Sequence, residues 1–276
     1  MRKPNRNPSR LCSGRRLRRA LFLLCFFSLS LCAAVSAQTL RIAAAADLQY
    51  ALPDLAAQYE KQTGIKLAIT FGSSGNFFAQ IQNGAPFDLF FSADLDYPKR
   101  LIQAGLAESD SQQIYATGRL VLWLPPDSPL DPDAGLKILL DPRIQKIAIA
   151  NPEHAPYGRA AVAALRNAGL YDQLKLKLVY GENISQAAQF AQSGSAQAGL
   201  VALSLALSPA MKGGKRWEIS PDRHPSIEQA AVVLKSSPNK QAAASFLVFL
   251  KSPRARDIFA RYGFQVPHDT SSEQKP

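Results

Sequence analysis

Apolar and polar positions fall along the chain in blocks that alternate between strand and helix. Residues 40–46 form a short, nearly unbroken apolar run, the pattern of a strand covered on both faces. Helical spacing follows over about 52–62, with Pro53 suited to a first turn and Gly64 placed as a C-terminal cap. Residues 66–71 read as the next strand, Gly72-Ser73-Ser74-Gly75 as a turn, and 76–83 as a helix closed by Gly84. A third strand over 87–92 leads into a helix reaching about 104. A strand over 119–124 stops at Pro125-Pro126, and the Asp- and Pro-rich stretch 125–133 reads as a loop. A second series follows: strand 146–150, helix 158–167, strand 176–180, helix 184–193, strand 198–202. The chain turns back near 216–220, and a strand over 230–235 precedes helices over 240–250 and 253–262. The polar tail from His268 is expected to be disordered. Repeated strand–helix alternation predicts an α/β fold of parallel sheets covered by helices. Two series with leftover C-terminal elements predict two lobes, the first taking those elements back; a single doubly wound domain is the alternative.

Charge changes this picture at one end. The 276-residue chain has 32 Lys and Arg against 21 Asp and Glu, a net of +11 that would suit a nucleic-acid or acidic-membrane partner. Eight of those positive residues lie within residues 1–37, which contain no acid, so the remainder carries only +3. That is too little to mark a nucleic-acid binder. The basic segment ends at Arg19, an apolar run continues to about Cys32, and Ala33-Ala34-Val35-Ser36-Ala37 closes it. This is the order of a secretory signal peptide, with cleavage expected between Ala37 and Gln38. The apolar run is shorter than the ~20 residues of a spanning helix, which argues against a retained anchor. Lipidation at Cys32 would place the large Leu31 where a small residue is wanted, and the flanks of Arg15-Arg16 and Arg18-Arg19 do not support a twin-arginine signal. Cys12, Cys25 and Cys32 are the only cysteines, so the exported chain would have no disulfide, thiolate metal site or cysteine nucleophile. An apolar fraction of 47% is too high for a disordered chain and ample for a packed core.

Candidate chemistry sits at strand-to-helix junctions, where helix N-termini offer unpaired N–H groups and a positive dipole end. Four stand out: Ala44-Ala45-Ala46-Asp47-Leu48, Phe71-Gly72-Ser73-Ser74-Gly75, Asn151 to Gly158, and Gly181-Glu182-Asn183-Ile184-Ser185. The second has small residues that let backbone approach a ligand and two hydroxyls, as a tetrahedral oxyanion requires; the same serines also read as plain helix caps. In the third, Tyr157 can give one strong hydrogen bond to an anion, or simply pack with a wet hydroxyl. Glu153 and His154 read as structural. Asn183 reads as a cap before the N–H groups of Ile184 and Ser185. The carboxylate of Asp47 would repel an anion, so this turn is expected to offer its backbone N–H while the side chain caps a helix. None of the four turns contains Lys or Arg, and fixed neutral donors can hold a dianion without a counter-charge.

These segments, together with Asn83 to Asp94 and Arg261-Tyr262-Gly263-Phe264, resemble the molybdate-binding proteins of bacterial ABC importers over essentially the whole exported length. The resemblance implies a type II periplasmic-binding-protein fold: two α/β lobes with a central ligand cleft, lobe one being about 38–118 plus 222–268 and lobe two about 119–221. It implies an oxyanion site at Ala46, Asp47, Ser74, Tyr157 and Ile184, with molybdate or tungstate held through Ser74, Ile184 and Tyr157. One branch of that family has a serine where Asp47 stands and a tyrosine where Ala202 stands; here Tyr157 would supply the phenol from another direction, and Asp47 only its N–H. The resemblance further implies a monomeric periplasmic carrier with no cofactor, partnered by an inner-membrane permease. Two other readings compete. One is a binder of sulfate or a metal ion on the same fold. The other is a secreted hydrolase using Ser74, His154 and Asp88, which lacks a Gly-x-Ser-x-Gly elbow.

Overall fold

The computed structural model describes Met1 and residues 39–267. The leader, its expected cleavage point, Cys12, Cys25, Cys32 and the tail from His268 lie outside the described residues. The chain begins with β1 (Thr39–Ala45), a 3-10 turn at Ala46–Leu48, and α1 (Ala51–Thr63). Gly64 ends α1 at φ 74°, a left-handed conformation that favours glycine. β2 (Lys66–Gly72), α2 (Ser74–Gln82), β3 (Leu89–Ser92), α3 (Asp96–Gln103) and β4 (Gln113–Gly118) follow. The second part contains β5 (Leu120–Leu124), a kinked 3-10 segment at Pro132–Leu140, β6 (Ile147–Ala150), α4 (Pro156–Asn167) and the short α5 (Tyr171–Leu174). It continues with β7 (Leu178–Gly181), α6 (Ile184–Gln192), β8 (Ala198–Ala202), the short α7 (Leu203–Ala206) and β9 (Lys215–Glu218). β10 (Ile227–Val233), α8 (Lys240–Leu250) and α9 (Pro253–Arg261) complete it.

The strands form two five-stranded sheets with the same plan. Sheet one has the order β2-β1-β3-β10-β4, and sheet two β7-β6-β8-β5-β9. In each, three neighbouring strands pair parallel, a fourth, β10 or β5, runs antiparallel to both its neighbours, and the edge strand β4 or β9 points with the first three. In sheet one that fourth strand comes from the far end of the chain. β10 follows every strand of sheet two, yet sits between β3 and β4. The chain therefore passes between sheets twice, at Arg119 and again between β9 and β10.

Strand alternation divides the core of sheet one between its two faces. Leu40, Ile42, Ala44 and Phe91 join α1, α8 and α9 around Tyr59, Phe246 and Phe259. Ala43 and Phe90 point the other way, towards Phe77 and Tyr97 of α2 and α3. Sheet two has its own core around Trp123, whose indole N–H donates to the Met211 carbonyl at 3.0 Å.

The structure differs from the sequence-based expectations at several elements. β4 was not anticipated: only Tyr115, Ala116 and Gly118 of its six residues are buried, and so short an apolar signal does not stand out. The turn-back near 216–220 is the polar, partly exposed edge strand β9. The expected 125–133 loop gives way at Pro132 to the 3-10 segment. α2 and α4 each start two residues earlier than expected. The Ser73 hydroxyl accepts the Asn76 N–H and caps α2, while Pro156 occupies the first turn of α4. Ser74 and Tyr157 thereby become first-turn helical residues. β10 begins three residues early, and its register shifts at Gln229/Ala230.

Phe246 is fully buried and meets the ring of Tyr59 edge-on at 4.9 Å. Phe246→Ala is expected to lower unfolding stability by about 3–5 kcal/mol, measured by denaturant titration.

Candidate functional site

The carboxyl ends of β1, β2, β6 and β7 meet across the cleft between the sheets, where ligands of open α/β folds bind. Each junction identified in the sequence contributes to one small cavity. Ala46, Asp47, Ser74, Tyr157 and Ile184 all line it, with Gly72, Ser73, Ala93 and Pro156 among the remaining walls. Its free volume is about 10 Å³, far below the roughly 300–1,000 Å³ of pockets for drug-sized molecules. That leaves room for only a very small group while the walls are this close. No lysine, arginine or histidine lines it.

Three helices of nine residues or more begin at this cavity. Ser74 is the first residue of α2, Tyr157 the second of α4, and Ile184 the first of α6. N–H groups in a first turn have no partner within their own helix, and the three dipole ends are positive. Asn183 caps α6 as expected, accepting the Ser185 and Gln186 N–H groups at 3.0 Å each, which leaves the Ile184 N–H outside the cap. The Ser74 hydroxyl oxygen accepts the Ala93 N–H at 3.0 Å, so its own proton remains free to donate.

The cleft is closed by direct contacts. The Gly75 N–H donates to the His154 carbonyl at 2.9 Å, and His154 Nδ1 lies 2.9 Å from the Ser73 hydroxyl. Asn76 Nδ2 donates to Glu182 Oε1 at 3.1 Å, and the Arg159 guanidinium pairs with Asp94. A Cβ at position 75 would stand 2.5 Å from the Tyr97 hydroxyl and 2.7 Å from both the Cβ and the carbonyl oxygen of His154. Only glycine permits this approach.

Asp47 corrects the expectation drawn from its sequence. Its side chain caps no helix. It is fully buried, with Oδ2 accepting from Gln229 Nε2 and the Tyr157 hydroxyl close to the carboxylate. Oδ1 has no protein partner. Burial drives the Asp47 pKa up from 3.8 to about 6, although Gln229 and Tyr157 oppose the rise. Burial first, and then the nearby Asp47 charge, push the Tyr157 phenol well above its ordinary value.

Gln229 and Tyr115 are site residues that the sequence reading missed. The Tyr115 hydroxyl donates to Gln229 Oε1 at 2.7 Å and approaches the Ser92 carbonyl at 3.2 Å. This fixes the amide so that Gln229 Nε2 faces Asp47 and lies 3.4 Å from the Tyr157 hydroxyl. The available sequence signal was a glutamine directly before the apolar run Ala230–Val233; its burial and the register shift beside it appear only in the structure. Ser204 holds the Asp47 carbonyl at 2.7 Å and was likewise missed.

The hydrolase arrangement is not assembled. His154 meets Ser73 rather than Ser74. Asp88 lies at the opposite end of β3 from Ala93, bound to the Arg41 N–H, Ser237 and Asn239. Among the described residues, no cluster of His, Cys, Asp and Glu has the geometry of a metal site.

Two sheets of one plan around a small, cation-free, donor-lined cavity define a two-lobed binding protein for a small anion. The chain belongs to the bacterial extracellular solute-binding protein family, whose model matches residues 40–265. The molybdate-binding protein ModA of Azotobacter vinelandii is 40% identical over 234 residues, spanning 84% of this chain and 92% of that protein. ModA of Rhodobacter capsulatus is 39% identical over 222 residues, spanning 80% and 86%. The solved periplasmic molybdate-binding protein of Azotobacter vinelandii superposes with a TM-score of 0.79 at 38% identity, covering 83% of this chain and all of that one. The fold is the type II periplasmic-binding-protein fold expected from the resemblance.

The native state holds the Asp47 proton up to about pH 6, whereas the unfolded chain releases it near 3.8. This group's contribution to stability is therefore fully present below about pH 4, is lost as the pH rises towards about 6, and is level above that. The loss is on the order of 3 kcal/mol. Asp47→Asn should remove this part of the pH dependence, read as the difference between wild-type and variant denaturant stabilities across that window without ligand.

Proposed function

We infer that the protein captures molybdate, and with it tungstate, outside the cytoplasm and delivers it to an ABC-type permease in the inner membrane. The observation that carries this reading is the convergence of Ala46, Asp47, Ser74, Tyr157 and Ile184 on one small cavity without a cationic side chain. The named activity of relatives at about 40% identity supports it. Molybdate is cargo here. The protein holds it through its oxo atoms, by the Ser74 hydroxyl, the Ile184 N–H, the Tyr157 phenol and the backbone at Ala46 and Asp47, and no side chain ligates the metal. Oriented dipoles in a water-poor cavity compensate the charge.

Residues 38–118 with 222–268 form lobe one and 119–221 lobe two. The two chain passages between the sheets act as the hinge, and ligand shifts the balance from open to closed. Sheet membership supports this division. Residues 1–37 direct export and are removed, leaving a monomeric periplasmic carrier. It performs no catalysis and needs no resident cofactor. The unassembled Ser74, His154 and Asp88 set supports a binding role.

Calorimetric titration of the purified protein should show tight binding of molybdate and tungstate and weaker binding of sulfate and phosphate. Tighter binding of sulfate would overturn the assignment of molybdate. Ser74→Ala removes a hydrogen bond to a charged group and is expected to weaken molybdate binding about 10- to 150-fold. Gly75→Ala, which pushes α2 away from His154, should weaken it by about 5- to 150-fold in the same titration while leaving the circular dichroism spectrum unchanged.

A further inference from the structure

We propose that the cavity takes up its oxyanion together with one proton, which resides on Asp47 Oδ1, so that a neutral carboxylic acid donates a hydrogen bond to the ligand. This rests on the reading of the cavity as an oxyanion site and concerns how that site is regulated.

The inference starts from an incomplete set of hydrogen bonds. Asp47 is fully buried and lines the cavity, and its Oδ2 is engaged by Gln229, but Oδ1 has no partner. A buried polar atom left bare is costly, which makes it a marker for a missing group. An ionised carboxylate only accepts hydrogen bonds, and so does a fully ionised oxyanion. Contact between them without a proton would place like charges together in a closed space. With one proton, the same contact becomes a charge-assisted hydrogen bond.

Beyond the backbone N–H groups of Asp47 and Leu48, the surroundings offer no positive charge to pair with the carboxylate. Tyr157 of α4 and Gln229 of β10 face the carboxylate, and Tyr115 of β4 stands behind Gln229. Arg159, further along α4, is committed to Asp94. Neither α6 nor α7, which flank the Asp47 turn, carries a charged side chain. The charged residue of β2, Lys66, lies at the strand end away from the cavity. Glu228, beside Gln229, would add only negative charge. Burial already holds the carboxyl proton to about pH 6 without ligand, and an adjacent anion strengthens that hold.

The balance is simple: the ionised Asp47, one proton from solvent and the oxyanion give the neutral acid hydrogen-bonded to the bound oxyanion. Release of the ligand returns the proton. Neutral Asp47 is also a weaker acceptor, which frees the single proton of the Tyr157 hydroxyl for the ligand.

The test is calorimetry with molybdate at about pH 8 in two buffers of different ionisation enthalpy, which counts protons directly. About one proton should be taken up per ligand. Affinity should be level below about pH 6 and fall by about tenfold per pH unit above it. Asp47→Asn, permanently neutral, should bind molybdate with no proton uptake, a flat pH profile and greater affinity than wild type at about pH 8. Wild-type binding with no proton uptake and a flat profile overturns the proposal and leaves the binding function standing. Absence of molybdate and tungstate binding by the folded wild type and the folded variant, from about pH 5 to pH 9, overturns both.

Discussion

The cleft is governed by the direction of six parallel strands, three in each sheet, whose carboxyl ends face one another. Each strand that ends there is followed by a turn or helix that begins there, so unpaired N–H groups collect at a single place. The sheets need not supply charge for an anion to be held, because the backbone supplies oriented partial charge at α2, α4 and α6. The close approach at Gly75 and the caps from Ser73 and Asn183 keep those helix ends at fixed positions. Charged residues near the cleft are used to close it, as Arg159 with Asp94 and Asn76 with Glu182 illustrate.

A cavity built this way tolerates little additional negative charge. Two like unit charges about 4 Å apart repel by about 4 kcal/mol at an effective dielectric near 20, and a dianion doubles the effect. Asp47 is thus the residue at which the electrostatic design is tightest. The surrounding Tyr115, Gln229 and Tyr157 form an ordered relay of donors that fixes one carboxylate oxygen and leaves the other open. Its position is maintained from behind as well, by Ser204 on its backbone carbonyl.

Much of this was readable from residue order. Apolar runs marked β1, β6 and β8, glycine marked the end of α1, and junction chemistry marked Ser74, Tyr157 and Ile184. What escaped has physical causes. β4 and β9 are edge strands whose partly exposed faces weaken the alternating signal. The orientation of the Asp47 side chain depends on Gln229, which lies 182 residues further along the chain, and no local pattern reports a partner at that distance. Tyr115 escaped with its strand. Long-range polar pairs inside a core become visible only when the strands that carry them are brought side by side.

The late return of β10 also bears on the order in which the molecule can be built. Sheet two draws its strands from one continuous stretch, β5 to β9, and can be completed as soon as residue 218 is available. Sheet one, although it starts the chain, stays interrupted between β3 and β4 until Val233 has been made, and two of its covering helices, α8 and α9, arrive later still. A chain emerging from its N-terminus therefore presents its first strands long before they can pair fully, and assembles its second sheet first. The half of the molecule that is first in sequence is last in structure, and it carries the mouth of the cavity with it.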